Sequence, residues 1–321
     1  MDVDYQGARI RVPDFLIVGA ARCGTTTVYS FLGQHPRLFL PKKKEPMFFS
    51  VYGQGWSPID IRTGRKTTYV VDDLTDYLAL FGPARNGQQI GEASTWYLYR
   101  YQTTIHNVRE IYGDKARHLK IIILLRNPAE RAWSHYMMNR RNGIETMPFE
   151  QAVRPEVVRD RSEKHFVPGF DYIGFGRYLR QVHAYLNNFL RVKILLFEEM
   201  IENIAQASQD VCGFLGVQAM PLGAGEERLN VSGTPKNKIA RALANIVYRP
   251  SRLKSWVRPL APYKLRAALK YRLAERIFRP ERMERALRNR LTEAYRDDIL
   301  ELSRLIDRDL SRWLTSTAEE N

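Results

Sequence analysis

A glycine-bounded loop follows the first strongly apolar run of the chain. The run Phe15–Val18 ends at Gly19, four residues intervene, and Gly24 precedes a helical pattern. A strand, a glycine loop and a helix N-terminus in this order bind phosphate through backbone N–H groups. A nucleoside triphosphatase places Lys directly after the second glycine, where it reaches the terminal phosphates, and here that residue is Thr25. The loop therefore predicts a phosphate site that is not built for the γ-phosphate of ATP.

The loop itself supplies residues that would contact such a ligand. Arg22 is its one cation, and Cys23 is interpreted as a small residue that fills the turn rather than as a nucleophile. The hydroxyls and N–H groups of the first helical turn come next. We predict that the phosphate-bearing ligand is held here by Arg22, Cys23, Gly24, Thr25, Thr26 and Thr27.

A second polar pair follows the apolar run Leu119–Leu125. Arg126 stands where that run ends, which is where ligands bind in open α/β sheets. Pro128 suits the first turn of a helix, and Ser134 lies about two turns into that helix. An arginine fork beside a hydroxyl suits a phosphate carried on a ribose. Each residue alone is also compatible with ordinary protein surface.

The spacing of the apolar runs indicates the elements that would bring these residues to one edge of a sheet. Runs rich in β-branched residues alternate with helical stretches, which is typical of a parallel sheet covered on both faces. The predicted strands are Phe15–Val18, Gln89–Glu92, Leu119–Leu125 and Val192–Phe197. The predicted helices are Gly24–Leu32, Thr103–Tyr112, Pro128–Arg140, Tyr172–Phe189 and Ile204–Leu215. The expected fold class is α/β, with a P-loop-like central parallel sheet flanked by helices and a helical C-terminal extension.

Charge divides the chain into a nearly neutral part and a basic segment. Seventeen Lys and Arg but only three acidic residues lie between 236 and 290, which accounts for nearly all of the net charge of +15. Such a block predicts an anionic partner. It is interpreted as surface helices packed on the core, or as an amphipathic surface that rests on anionic lipid or guides an acidic acceptor. Nucleic acid is not expected as a partner, because no recognition pattern is present.

We predict that the chain forms a single domain over 1–321. Its parts are a core at about 13–235, the basic segment at about 236–290 and a C-terminal helix at about 291–314. Two cysteines are too few for a disulfide scaffold, and neither a signal-peptide pattern nor a membrane-spanning apolar run occurs. We therefore expect a soluble cytoplasmic protein, with peripheral membrane contact left open. No cluster of His, Cys and carboxylate residues has metal-ligand spacing, so no metal is expected.

Together the motifs resemble those of the sulfotransferases that use 3′-phosphoadenosine 5′-phosphosulfate (PAPS). The segments Gly19–Thr26 and Arg126–Ser134 carry the resemblance. Lys44–Phe49 resembles the Lys-Glu-Pro-x-Phe-Phe signature of bacterial and heparan-sulfate-type members, and Gly91–Tyr97 is similar to their following strand-end motif. Asn230–Lys236 resembles a late loop that closes over the nucleotide. The similar segments are spread over nearly the whole chain.

The resemblance implies a role for each motif. The first loop would hold the 5′-phosphosulfate of PAPS, whereas Arg126 and Ser134 would hold the 3′-phosphate and Lys236 would come from the closing loop. The products would be a sulfate ester and adenosine 3′,5′-bisphosphate. Sulfuryl transfer resembles phosphoryl transfer in being an in-line displacement through a loose transition state, so positioning and charge stabilisation contribute most of the catalysis.

Glu45 is the candidate general base, because the acceptor hydroxyl must lose its proton to a carboxylate or a similar group. Pro46 restricts the backbone directly after Glu45. Arg22 and the helix N-terminus would receive the charge that grows on the leaving oxygen. As an alternative, Glu45 caps a turn or pairs with Lys44. Lys44 and Glu92 are predicted to bind the acceptor. Two further interpretations of Glu92 are a carboxylate that orients the site and a buried partner of an arginine.

Two positions depart from the family pattern. The family loop often carries Lys where this chain has Arg22, and Arg keeps the charge but does not donate a proton at neutral pH. The heparan sulfate enzymes have Lys where this chain has Ala93, which argues against a heparan-like acceptor. We expect transfer to a hydroxyl of a carbohydrate, a glycolipid or a small metabolite. The alternatives are an ATP-dependent kinase with a degenerate P-loop and a non-catalytic protein that binds polyanions or a membrane surface.

Overall fold

A computed structural model of the chain describes residues 1–220 and 282–315 and the backbone of 234–235 and 278–279. Its strands, numbered along the chain, are β1 (Asp2–Tyr5), β2 (Ala8–Arg11), β3 (Phe15–Gly19), β4 (Leu38–Phe39), β5 (Ile59–Asp60), β6 (Arg65–Lys66), β7 (Gln89–Ala93), β8 (Lys120–Leu125), β9 (Arg191–Leu196), β10 (Thr234–Pro235) and β11 (Phe278–Arg279). Five of them form a central sheet in the order β4-β7-β3-β8-β9, in which every neighbouring pair is parallel. The other strands form two-stranded antiparallel pairs.

Helices cover the sheet. The α-helices of the described residues are α1 (Thr25–Leu32), α2 (Phe48–Val51), α3 (Leu74–Ala79), α4 (Trp96–Tyr99), α5 (Tyr101–Tyr112), α6 (Pro128–Arg141), α7 (Phe149–Ala152), α8 (Pro155–Glu163), α9 (Tyr178–Asn188), α10 (Phe197–Glu202), α11 (Ile204–Leu215) and α12 (Arg285–Ile306). Short 3₁₀ turns lie at Gly113–His118, Pro168–Phe170, Gly174–Gly176 and Ser311–Trp313.

The two central strands are apolar because both of their faces are covered. All of β3 is buried, and so are the residues of β8 from Ile121 to Leu125. A strand buried on both faces reads as a continuous apolar run rather than an alternating one. Gly91 in β7 pairs in register with Phe15 in β3, and a Cβ at Gly91 would lie 2.0 Å from the Phe15 ring. The glycine therefore leaves room for the tip of the Phe15 ring against the neighbouring strand.

Parallel pairing brings the predicted motifs to the same edge of the sheet. β3 ends at Gly19, β7 at Ala93 and β8 at Leu125, and these three strands are neighbours. The loop after β3, the residues Ser94 and Thr95 after β7, and Arg126 after β8 therefore meet at the carboxyl edge. This edge is where open parallel sheets bind their ligands.

The helix after β8 starts where the sequence predicts. Asn127 is its N-cap, and the side-chain oxygen accepts hydrogen bonds from the backbone N–H groups of Ala129 and Glu130. Pro128 occupies the first helical turn, where its missing N–H costs nothing. The cap fixes the direction in which α6 leaves the sheet edge, and so fixes the position of Ser134.

The four predicted strands and the predicted helices near α1, α5, α6 and α11 are confirmed. The helix predicted over Tyr172–Phe189 starts too early in that prediction, because a 3₁₀ turn occupies Gly174–Gly176 and α9 begins at Tyr178. Gly176 packs so tightly that a Cβ there would lie 2.8 Å from the hydroxyl oxygen of Tyr295. Close packing against α12, rather than helical periodicity, sets the chain path here.

The C-terminal helix also differs from its predicted bounds of 291–314. It begins at Arg285 and ends at Ile306, because Asp307 adopts the left-handed conformation with φ of 50°. Its buried face consists of Leu287, Leu291, Tyr295, Ile299 and Leu302. Most of the predicted basic segment lies outside the described residues. No helix in 1–220 or 282–315 is long and apolar enough to cross a membrane.

Candidate functional site

The loop at residues 20–24 connects β3 to an uncapped helix. Gly24 is the N-cap of α1 with φ of 89°, no side chain caps the helix, and no acidic residue lies in its first turn. A helix N-terminus in this state attracts an anion through its N–H groups and its dipole. Gly24 is also closely packed, since a Cβ there would lie 2.4 Å from the methyl carbon of Met200.

The structure brings Arg22, Arg126 and Ser134 together. Arg22 Nε donates to Ser134 Oγ over 3.1 Å, and Arg126 Nη1 donates to the backbone oxygen of Arg22 over 3.4 Å. The guanidinium carbon of Arg126 lies 4.6 Å from the centre of the Phe197 ring at the start of α10. We call Arg22, Arg126, Ser134 and the loop 20–24 the arginine side of the site.

Positive charge is concentrated on the arginine side. Burial, followed by the nearby cations Arg141 and Arg126, lowers the pKa of Arg22 to about 10. Arg22 remains a cation at neutral pH. Burial, together with Arg131 and Arg22, also lowers the pKa of His135 well below its ordinary value, so this imidazole is neutral and its Nδ1 accepts from Arg131 over 3.2 Å. An anion bound here would relieve the repulsion between these cations.

Two residues predicted to bind the ligand do not present their side chains to it. Cys23 is fully buried, with its sulfur 3.7 Å from the Tyr178 hydroxyl, and burial raises the pKa of the thiol to about 11. Thr25 is only 4% exposed. The burial of Cys23 agrees with its interpretation as a small residue that fills the turn, and contacts of Cys23 and Thr25 with a ligand at this loop would be made by their backbone N–H groups. Thr26 is exposed and Thr27 is half-buried, so their hydroxyls remain accessible.

Glu45 lies beside the end of β7. Its backbone N–H donates to the oxygen of Ala93 over 3.0 Å. One carboxylate oxygen, Oε1, accepts from Lys44 Nζ over 2.7 Å, and the other, Oε2, accepts from Thr95 Oγ1 over 2.9 Å. The pairing with Lys44, which was the alternative interpretation of Glu45, is present, and the carboxylate is half-buried at the sheet edge.

Glu92 lies beneath Glu45 and is completely buried. Ser94 Oγ donates to its Oε1 over 2.6 Å, and the Tyr77 hydroxyl donates to its Oε2 over 3.3 Å. Ser94 Oγ also accepts from the backbone N–H of Met47 over 2.9 Å. The prediction that Glu92 contacts the acceptor is corrected, since no surface of its carboxylate is exposed.

Burial raises the pKa of Glu92 to about 7, and the nearby Glu45 carboxylate acts in the same direction. Hydrogen bonds from Ser94, Tyr97 and Tyr77 act in the opposite direction. We call Glu45, Glu92, Ser94 and Thr95 the carboxylate side of the site.

The arginine side and the carboxylate side meet through apolar contacts. Ala21 from the loop, Met47 from the segment after Glu45, and Trp96 from α4 pack into one buried cluster. Three residues around this contact have left-handed backbone conformations, namely Arg22 with φ of 71°, Glu45 with φ of 62° and Met47 with φ of 61°. Non-glycine residues in this region cost free energy and concentrate at functional sites.

Sequence reasoning identified Lys44 as a partner of Glu45, but it did not identify Thr95, Ser94 or Tyr77. Thr95 and Ser94 belong to the strand-end motif, and they stand directly after a strand, which is the signal that could have identified them. Tyr77 offered no such signal, because fifteen residues separate it from Glu92. Lys236, which was predicted to bind the ligand, lies outside the described residues. Within 1–220 and 282–315, no group of three or more His, Cys, Asp or Glu residues could hold a metal ion.

Known proteins resemble this chain in sequence and in fold. The family model described as "Sulfotransferase domain" matches residues 12–232. The crystal structure of a sulfotransferase from Alicyclobacillus acidocaldarius superposes with a TM-score of 0.68 at 30% identity, and the match covers 95% of this chain and 100% of that chain.

Curated relatives are more distant. The membrane-associated sulfotransferase kil1 of Dictyostelium discoideum is 25% identical over 42% of this chain and 24% of its own length. The bifunctional heparan sulfate N-deacetylase/N-sulfotransferase 1 of Xenopus laevis is 23% identical over 64% of this chain and 22% of its own length. The match thus spans less than a quarter of the length of these relatives. From the family match and the bacterial structure, we conclude that the chain belongs to the sulfotransferase domain family and is a transferase.

Proposed function

We propose that the chain transfers the sulfuryl group of PAPS to a hydroxyl acceptor, with Glu45 as the general base. The observation that carries this proposal is the arrangement of the two sides. Arg22, Arg126 and Ser134 form a cationic site at the ends of β3 and β8. The Glu45 carboxylate lies at the end of the adjacent strand β7.

The residues of the arginine side fit a donor that carries two separate phosphate groups. The N–H groups at the start of α1 and the Arg22 guanidinium would hold the 5′-phosphosulfate. Arg126 and Ser134, which follow the next strand, would hold the 3′-phosphate, as the family resemblance implies. All of these protein groups are N–H or hydroxyl hydrogen-bond donors on a positively charged surface. Phosphate and sulfate bind to groups of this kind.

The two sides would divide the chemical work. When bound, the donor supplies the sulfuryl group and a phosphate leaving group. Arg22 would stabilise the negative charge that develops on the leaving oxygen by hydrogen bonding, without giving up a proton. Glu45 would accept the proton of the acceptor hydroxyl while Lys44 and Thr95 hold its two carboxylate oxygens in place.

The acceptor is proposed as a hydroxyl of a carbohydrate, a glycolipid or a small metabolite, with an amine as a less favoured alternative. The names of the curated relatives support a carbohydrate, since they include a heparan sulfate N-sulfotransferase of Xenopus laevis and a carbohydrate sulfotransferase 15 of Mus musculus. Both relatives are below 30% identity to this chain, so they indicate a class of acceptor rather than a particular molecule.

A thermal-shift titration tests the donor site. Adenosine 3′,5′-bisphosphate, adenosine 5′-phosphate and ATP with Mg²⁺ would each be titrated against the protein. A ligand at a hundred times its dissociation constant stabilises the fold by about 2.7 kcal/mol, which shifts the melting temperature measurably. We expect strong stabilisation only when the 3′-phosphate is present, and loss of that stabilisation in Arg126→Gln.

Arg154→Gln serves as the matched control, because Arg154 is an exposed arginine before α8. It should respond to the bisphosphate as the unmodified protein does. A response to ATP with Mg²⁺ alone would contradict the proposal in favour of a kinase, and no response to any of the three would favour a non-catalytic binding protein.

A further inference from the structure

A row of aromatic side chains, of which Tyr69 is exposed and Trp96 is buried, begins near Glu45. The Tyr69 ring is 44% exposed, and burial, followed by the charge of the nearby Glu45 carboxylate, raises the pKa of its hydroxyl. The Tyr69 ring meets Trp96 edge-on, with centroids 6.2 Å apart, and Trp96 in turn lies 6.5 Å from Trp56. Trp56 also packs against the buried cluster of Ala21, Met47 and Trp96, so the rings lead from the segment after Glu45 to a region that has not been given a role.

A cleft of about 400 Å³ lies at the far end of these rings. Its size falls within the range of sites that hold small molecules or a single sugar ring. The side chains important for its chemistry are Trp56, Tyr99, Arg100, His165 and Asp171. They come from the loop before β5, from α4 and the residue after it, and from the segment after α8.

Arg100 is a partly buried cation in this cleft, and its guanidinium stacks on an aromatic ring. Its guanidinium carbon lies 4.4 Å from the centre of the Trp56 ring, and burial lowers the pKa of its side chain. Within 1–220 and 282–315, no ion pair joins Arg100 to a carboxylate. Arg161, which also lines the cleft, differs in this respect because it is bound to Glu145 over 2.8 Å.

The one acidic side chain of the cleft is already engaged elsewhere. Asp171 accepts from the Tyr99 hydroxyl over 2.8 Å through Oδ2, and from the backbone N–H of Gly174 over 2.7 Å through Oδ1. It therefore orients Tyr99 and the turn at Gly174 rather than neutralising Arg100. An anion that binds beside a partly desolvated cation without an acidic partner stabilises that cation.

The stacking of Arg100 on Trp56 suits the recognition of a carboxylate. An indole covers one face of the guanidinium and restricts its motion, while the N–H groups point outward in the guanidinium plane. These in-plane N–H groups form paired hydrogen bonds with a carboxylate or a sulfate. The neighbouring rings offer apolar surface to the rest of the same molecule.

We propose that this cleft is an acceptor subsite that selects molecules carrying an anionic group, which binds Arg100 while a hydroxyl on another unit of the same molecule reaches Glu45. The chemical class is an acceptor with a carboxylate or sulfate close to an apolar ring face. This inference rests on the proposed function, since it assigns the cleft to the acceptor of the same reaction.

Two sugars that differ in one group test the subsite. 4-Nitrophenyl β-D-glucuronide carries a carboxylate where 4-nitrophenyl β-D-glucoside carries a hydroxymethyl group. Binding of each to the full chain would be measured by calorimetry, with and without adenosine 3′,5′-bisphosphate. We expect the glucuronide to bind at least about tenfold more tightly, which corresponds to about 1.4 kcal/mol. In Arg100→Gln the two sugars should bind within about twofold of each other.

Control variants separate charge recognition from packing. Arg100→Lys keeps the charge and should retain part of the preference, and Arg159→Gln, an exposed arginine of α8, should retain all of it. Equal or undetectable binding of the two sugars to the unmodified protein, or a preference that survives in Arg100→Gln, would overturn the subsite.

The nucleotide titration distinguishes this failure from failure of the proposed function. Arg100→Gln should bind the bisphosphate as tightly as the unmodified protein. If the bisphosphate binds but the sugar preference is absent, only the subsite is wrong. If the preference depends on Arg100 but the bisphosphate does not bind, the cleft recognises anions without being part of a PAPS-dependent site, and its assignment to the acceptor is overturned.

Discussion

On the arginine side of the site, Arg22 and Arg126 lie close together near an uncapped helix N-terminus. On the carboxylate side, Glu45 and Glu92 each accept hydrogen bonds from two neighbouring side chains. Like charges therefore raise the free energy of the first region, whereas hydrogen bonds already satisfy the charged groups of the second. An anionic ligand would stabilise the arginine side, whereas hydrogen bonds hold the carboxylate side in place without a ligand.

This difference predicts how the two regions respond to substitution. Where cations gather around a binding site, removing one of them weakens ligand binding and changes the stability of the ligand-free protein little. Where buried polar groups satisfy each other, removing one leaves its partner without a hydrogen bond in a low-dielectric environment. Substitutions on the arginine side should act on ligand affinity, and those on the carboxylate side on turnover or on stability.

The largest expected effect is on turnover, in Glu45→Gln. The amide cannot accept the proton of the acceptor, so kcat should fall by about 10²–10⁴-fold with any acceptor that the unmodified protein sulfates. Lys44 can still donate to the amide oxygen and the Thr95 hydroxyl can accept from the amide NH2 group, so affinity for adenosine 3′,5′-bisphosphate should stay within about twofold. Transfer of labelled sulfate from PAPS and a bisphosphate titration measure the two quantities.

Glu163→Gln is a matched control, because Glu163 is an exposed glutamate at the end of α8. Its kcat should be unchanged. A Glu45→Gln protein with undiminished turnover would remove Glu45 as the base, and a protein with weakened bisphosphate binding would show that the two sides are not separate.

The next effect is the pH dependence of stability, in Glu92→Gln. Burial raises the pKa of Glu92 from 4.5 to about 7. Between these values the unfolded chain loses the proton while the folded protein keeps it, so the free energy of unfolding falls as the pH rises. Because one pKa unit corresponds to about 1.4 kcal/mol, the total fall is roughly 3 kcal/mol. It should be absent in Glu92→Gln, which has no proton to lose.

Urea unfolding of both proteins from about pH 4.5 to about pH 8 measures this difference. The free energies of the two proteins should converge or cross as the pH rises, with the variant relatively more stable at the alkaline end. Parallel curves would mean that Glu92 is ionised in the folded protein throughout this range, and that the hydrogen bonds from Ser94 and Tyr77 outweigh its burial.

Local patterns predicted most of the sheet and its edge. The run Ile121–Leu125 is short, apolar and rich in β-branched residues, which favours a buried strand, and Pro128 after Asn127 leaves few places for a helix to start. Parallel pairing then forces the ends of β3 and β8 together. The proximity of Arg22 and Arg126 therefore follows from sequence patterns.

The rest depends on contacts between distant segments. The burial of Glu92 follows from packing against Tyr77, and nothing in the Gly-Glu-Ala-Ser stretch itself distinguishes a buried carboxylate from an exposed one. The Arg100 cleft assembles residues from 56 to 171, each of which is unremarkable in its local sequence. Helical periodicity near Gly176 was misleading because packing against Tyr295 set the backbone there.

One substitution made at two serines tests the comparison most directly. Ser94 and Ser134 are both buried, and they lie on opposite sides of the site. Ser94→Ala removes the donor to Glu92 and the acceptor of the Met47 N–H, so it should lower the free energy of unfolding by about 1–3 kcal/mol for each buried group left without a partner. Its affinity for adenosine 3′,5′-bisphosphate should not change.

Ser134→Ala should act mainly on ligand affinity. It removes the acceptor of Arg22 Nε and one proposed donor to the 3′-phosphate, and a hydrogen bond to a charged group contributes about 1.5 kcal/mol or more. The dissociation constant of the bisphosphate should rise about tenfold, while that of adenosine 5′-phosphate changes little. The free energy of unfolding should fall by less than in Ser94→Ala, because one part-buried donor rather than two buried groups loses its partner. Urea unfolding and calorimetric titration of both variants give all the values. If Ser134→Ala destabilises the fold as much as Ser94→Ala and leaves bisphosphate affinity intact, the arginine side is a structural network like its neighbour, and the proposed 3′-phosphate site must lie elsewhere.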